Sequence, residues 1–134
     1  MIGLALLLIS HLSSRANIYF VNSSADGTNI DTLRGAVLDA NRHGDGSIIV
    51  LIAKSYELDT PDLGSELPVM VRRLNIIGWG QANVFIHAPP MEHVFHVYPG
   101  GQLTLINVTL ANAGANAGDL YSKGGCLVQM VRFI

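Results

Sequence analysis

Apolar residues in this chain recur mostly at alternate positions, the period of a half-buried strand, in short bursts separated by turn residues. The clearest burst covers residues 95–112. Phe95 and Val97 precede Pro99-Gly100-Gly101, Leu103 and Leu105 then alternate with polar neighbours, and Val108 and Leu110 resume the alternation on the opposite parity. A one-residue slip at Ile106-Asn107 sends the second set away from the core unless the chain bends there. Asn is one of the few non-glycine residues that accepts a left-handed bend. The stretch therefore predicts two short strands joined by a corner, with Leu103, Leu105, Val108 and Leu110 facing one core. Corners without hairpin turns are what a β-solenoid uses to wrap strands round its interior.

Upstream, Asn17 to Asn22 reads as a strand and residues 23–28 as a turn. One helix is predicted next, capped by Asp31 or Thr32, with Leu33, Ala36, Val37 and Ala40 on one face, and ended by Asn41 to Gly46. A helix so placed suits a cap over the first rung of a solenoid, whose open edge otherwise invites aggregation.

The run Asp31-Thr-Leu-Arg-Gly-Ala-Val-Leu-Asp-Ala-Asn41, followed by Ser47-Ile-Ile-Val-Leu-Ile52, resembles the CSLREA-type opening of secreted right-handed parallel β-helix proteins. These are the pectin-lyase-like proteins and the similar polymorphic outer-membrane repeat proteins. Leu74 to Gly80, Val94 to Val97, Leu103 to Leu110 and Gly124 to Val128 fit the same template, so the resemblance covers Ile18 to Val128. It implies an all-β fold, a right-handed parallel β-helix (solenoid) fragment of about two to three rungs with an N-terminal capping helix. Three positions depart from the pattern: Thr32 replaces Ser, Asp31 stands where a Cys often sits, and Gly35 replaces an acidic or amide residue. Gly35 costs a helix about 1 kcal/mol relative to Ala.

On that template Ile18 to Val21 and Ile48 to Ile52 start the coil. Tyr56 with Leu58, Leu74 with Ile76, and Val84 with Ile86 form a first rung; Phe95 with Val97, Leu103 with Leu105, and Val108 with Leu110 form a second. Gly78 and Asn107 fall at the same corner. Gly124 to Val128 opens a third rung that Met130 to Ile134 cannot complete.

Composition supports short buried strands over a helical bundle: of 134 residues, 49% are hydrophobic, only 13% are charged, and 14 are Gly. A net charge of -2 gives no electrostatic footprint for nucleic acid. The apolar run Ile2 to Ile9, interrupted only by Gly3 and followed by Ser14-Arg15-Ala16, predicts a secretory signal over residues 1–16. The expected organisation is then a strand and capping helix over 17–46 and rungs over 47–134, in a secreted or cell-surface protein. Cys126 is the single cysteine, which rules out an internal disulfide and favours a buried apolar role.

Candidate chemistry is sparse. His87, Glu92, His93 and His96 form one cluster, but on an extended strand His96 points away from the face shared by His93, Phe95 and Val97, so His-x-x-His does not chelate one ion. Glu57, Asp59, Asp62 and Glu66 are the densest carboxylates, the residue type that glycoside hydrolysis needs in pairs. Turn chemistry accounts for Asp59 and Asp62 without it. Arg72-Arg73 reads as a solvated strand start, with one of the pair available to a carbohydrate. Asn22-Ser-Ser24 and Asn107-Val-Thr109 match the N-glycosylation pattern.

No catalytic, cofactor-binding or metal-binding residue is designated. The expected function is structural, adhesive or self-assembling, with end-to-end association through the C-terminal edge and a carbohydrate or cell-surface polymer as a possible partner. The alternative is the N-terminal part of a carbohydrate-active enzyme, a polysaccharide lyase or glycoside hydrolase.

Overall fold

The structure, a computed structural model, describes residues 16–43, 45–59, 66–80, 84–88, 93–112, 120–122 and 125–133; for residue 112 and the last two stretches it describes the backbone alone. The elements run β1 (Ile18–Val21), α1 (Leu33–His43), β2 (Ser47–Leu51), β3 (Ser55–Glu57), β4 (Leu67–Val69), β5 (Leu74–Gly78), β6 (Val84–Ala88), β7 (Phe95–Val97), β8 (Gln102–Asn112), β9 (Leu120–Ser122) and β10 (Gly125–Phe133). Every strand pairing among the described residues is parallel. A seven-stranded sheet runs β1-β2-β5-β8-β6-β3, with β10 also on β8, and a three-stranded sheet runs β4-β7-β9. The larger sheet curls because β8 pairs with β5 through its first half and with β6 through its second.

The register carries a repeat. Ser47 pairs with Leu74, Leu74 with Leu103, and Leu103 with Cys126. Tyr56 pairs with Ile86, Ile86 with Leu110, and Leu110 with Phe133. Leu67 pairs with Phe95, and Phe95 with Leu120. The chain thus revisits three positions at intervals of roughly 23 to 30 residues, within the range of stacked repeats.

This register corrects the rung assignment expected from sequence. Tyr56 and Ile86 are partners in adjacent windings, so they do not share one. The windings are β2-β3-β4, then β5-β6-β7, then β8-β9, with β10 opening the next. Alternation did not reveal β9, nor β4, three residues with Pro68 at the centre. Proline lacks the ladder N–H and survives in sheets only at edges, where β4 lies. Met130 to Phe133 continue β10 alongside the second half of β8, pairing Val131 with Val108, Arg132 with Thr109 and Phe133 with Leu110.

The predicted corner is present. Leu103, Leu105, Val108 and Leu110 are all buried, and between the two pairs Asn107 takes φ 54°, the only non-glycine residue with positive φ among those described. Its Nδ2 donates to the Gly78 carbonyl at 3.1 Å, tying one winding to the next. Gly78 itself does not adopt the left-handed conformation. It is glycine because a Cβ there would stand 2.1 Å from the Asn107 carbonyl oxygen. Leu105→Ala is expected to lower the unfolding free energy by about 2 to 5 kcal/mol, as for other buried leucines, and Thr104→Ala by far less. Urea melts of the two variants check this, and equal small losses would contradict the corner.

Thr32, not Asp31, caps α1: its Oγ1 accepts a hydrogen bond from the Gly35 N–H at 3.1 Å. Leu33, Ala36, Val37 and Ala40 are buried as their spacing predicts. The helix ends at His43, within the expected stretch Asn41 to Gly46. It lies against β1, β2 and β4, and its polar side chains occupy the place of a strand beside β4. On the edge of β4 away from β7, Arg34 Nη1 donates to the Glu66 carbonyl at 3.4 Å and Asn41 Nδ2 to the Pro68 carbonyl at 2.7 Å. The Met70 N–H donates to Asn41 Oδ1 at 3.1 Å, and Pro68 has no N–H to satisfy. Arg34 and Asn41 are two helical turns apart and so share a face.

Two tyrosines tie neighbouring elements together. Tyr19 donates to Asp39 Oδ2 of α1 at 2.7 Å. Tyr56 donates a short hydrogen bond to the Val21 carbonyl and accepts one from the Ala53 N–H at 2.9 Å. Burial pushes both phenols above their ordinary pKa, and the Asp39 carboxylate adds to the rise at Tyr19. The folded state therefore holds these protons more tightly than the unfolded chain. That contribution is complete below about pH 10 and is lost as pH rises through the folded pKa values. Melting temperature should fall on the alkaline side above about pH 10, and the fall should be shallower in Tyr56→Phe, even though that variant starts from lower stability. Thermal melts across that range check both points.

Candidate functional site

The register unites residues from two separate sequence clusters. His96, on the outward side of β7, places Nδ1 3.0 Å from Oε2 of Glu66, the residue before β4. Tyr98 lies flat on the His96 ring, with centroids 4.2 Å apart and planes 6° apart. The carboxylate and the stacked ring fix the orientation of the imidazole. Phe95 and Val97 point inward and are buried, so His96 faces outward as the strand period requires. The other candidates are not gathered here. His87 lies half-buried on β6 beside Phe85, in register with Glu57 of β3, whose side chain is exposed. Asp59 is exposed, and Glu92 and Asp62 fall outside the described residues. Among the described residues, no group of three or more His, Cys, Asp or Glu is placed to hold a metal ion.

A second feature carries no titratable chemistry. The outward positions of β1, β2, β5 and the first half of β8 are Ile18 and Phe20, Ile48 and Val50, Asn75 and Ile77, and Gln102, Thr104 and Ile106. Not one is charged. Phe20, Val50, Ile77 and Ile106 stand in register across four strands, forming an apolar ladder on the outside of the sheet. Ile18, Phe20 and Trp79 keep 61%, 65% and 69% of their surface exposed. Alternation along each strand, read alone, marks these positions only as outward. Their summation into one face needs the register, which is why sequence reasoning missed it.

Of the remaining candidates, Arg72 and Arg73 are both exposed at the corner between β4 and β5. Asn107 is committed to its backbone corner through the same Nδ2 that a glycan would occupy, and the Thr109 of that pattern is buried. Asn22 is exposed just after β1. Cys126 lies on β10 in register with Leu103, and its side chain is outside the described part, as are those of Leu127, Val128, Val131 and Phe133. The expected signal segment falls outside the described residues but for Ala16, and among the described residues no helix is long and apolar enough to cross a membrane. No family model, curated protein or solved structure matches the chain.

Proposed function

We propose that this chain is a right-handed parallel β-helix module, secreted or displayed at a cell surface, with an adhesive or self-assembling role. The handedness rests on a general rule: β-strand crossovers that return to the same sheet in parallel are almost always right-handed, and β2 to β5 and β5 to β8 are such returns. The observation that carries the role is the uncharged outer face of β1, β2, β5 and β8. Contiguous exposed apolar surface of this kind marks contact sites, and a face without charge can meet a copy of itself without burying an unpaired ion. The partner is accordingly a second copy of this chain.

The edge of β10 away from β8 is a separate route to association, since an edge strand offers its backbone to another strand. Sedimentation at micromolar concentration distinguishes the two. Self-association by the face is expected to persist at high salt, because it is not ionic, and to be abolished by Phe20→Lys. Leu127→Pro, which removes a ladder donor on β10, should leave it intact. A monomer for the unsubstituted chain at all concentrations would overturn the self-assembling role.

A further inference from the structure

We propose that the corner cleft lined by Arg72, Arg73, Gly100 and Gln102 binds a tetrahedral oxyanion, the sulfate or phosphate group of a monoester. The inference stands on this corner alone and does not depend on the adhesive face. The cleft is half open to solvent and has a volume of about 370 Å³. That volume is far more than a lone oxyanion fills, which leaves room for the molecule that carries it.

The sequence builds the cleft by stacking two unlike corners. The lower one, residues 70–73, leads into β5 and ends in two adjacent arginines. The upper one is Tyr98-Pro99-Gly100-Gly101, leading into β8. It lies directly on the first: the Tyr98 N–H donates to the Val69 carbonyl at 3.0 Å and the Gln102 N–H to the Val71 carbonyl at 3.3 Å. Gly101 fits only as glycine, because a Cβ there would stand 2.8 Å from the Val69 carbonyl oxygen. Gly100 turns with φ +86°, and no atom lies within 4 Å of where its Cβ would be. The upper corner therefore contributes no side chain at Gly100 or Gly101 above the arginines, and the space stays open.

The charge in the cleft is available. Neither Arg72 nor Arg73 forms an ion pair among the described residues, in contrast to Arg34, which is held by Asp26. Asp45 lies next to Gly46, over which the Arg73 guanidinium extends, and it pairs with neither arginine. Two guanidinium forks suit a tetrahedral oxyanion, to which each presents paired N–H donors, and Gln102 adds an uncharged amide.

The test is a set of thermal-shift titrations with glucose 6-phosphate, glucose 6-sulfate, inorganic phosphate and inorganic sulfate, each against sodium chloride at matched ionic strength. Saturable stabilisation by at least one ester is expected, at least tenfold tighter than by its inorganic ion, and the stronger ester identifies the group. Arg72→Ala/Arg73→Ala should weaken that binding more than tenfold while melting like the unsubstituted chain without ligand, since both side chains are exposed. Arg72→Lys/Arg73→Lys keeps the charge but loses the forks, and should bind at an intermediate level. Equal stabilisation of all three proteins, or stabilisation no greater than that by chloride, would overturn the proposal. So would inorganic ions binding as tightly as the esters.

Discussion

Gly35→Ala is expected to destabilise the protein by about 3 kcal/mol or more, although alanine is the better helix former by about 1 kcal/mol. A Cβ at this position would stand 1.8 Å from the Asn29 carbonyl oxygen and 2.7 Å from that of Thr28. Both are backbone atoms that no rotamer change can move aside. Nor is the loop free to retreat. The Thr32 N–H donates to the same Asn29 carbonyl at 2.9 Å, and the Thr32 hydroxyl donates to it at 2.5 Å. The glycine that weakens the helix by propensity is thus what lets the preceding loop fold onto its first turn. Urea unfolding followed by circular dichroism measures the loss. A stabilised Gly35→Ala variant would show that helix propensity governs this site and that the close approach does not exist.

Asp26→Ala is expected to cost about 3 to 5 kcal/mol, the range for breaking a buried ion pair by removing one partner. Arg34 grips both oxygens of Asp26, Nε to Oδ1 at 2.8 Å and Nη2 to Oδ2 at 3.0 Å, and both side chains are almost wholly buried. The pair joins α1 to the loop before it, while Nη1 of the same guanidinium reaches the edge of β4. Removing the carboxylate strands a charge in the interior next to the capped sheet. Replacing both residues, Asp26→Ala with Arg34→Met, should recover most of the loss, because a neutral pair of apolar side chains carries no desolvation penalty. A double-mutant cycle in denaturant checks both statements, and a double variant no more stable than Asp26→Ala would assign the loss to packing instead of charge.

The parts of this fold legible in the sequence are those that repeat a local period. The inward sets of β8 and the buried face of α1 follow from the spacing of Leu, Val and Ala alone, and Asn107 could be placed at a corner because two parities met there. Pro68 hid β4, since a three-residue strand with a central proline carries no alternation signal. The Asp26–Arg34 pair spans a loop with no period, yet one clue existed: Arg34 falls beside Leu33 and Val37 on the apolar side of the helix, where a charge needs a partner. His96 and Glu66 are thirty positions apart, and the outer apolar ladder spans four strands. Both come from register, which depends on how many residues each corner consumes, and alternation says nothing about that number.

Successive windings stack in parallel register, and nuclear Overhauser contacts test this most directly. Parallel neighbours lie about 4.8 Å apart in the hydrogen-bonding direction. Ile49, Ile76 and Leu105 should therefore form an unbroken series of contacts, Ile49 to Ile76 and Ile76 to Leu105, because they pair in register across β2, β5 and β8. Contacts of Leu105 with an antiparallel neighbour, or the absence of any contact between Ile76 and both partners in a folded sample, would contradict the stacked parallel arrangement.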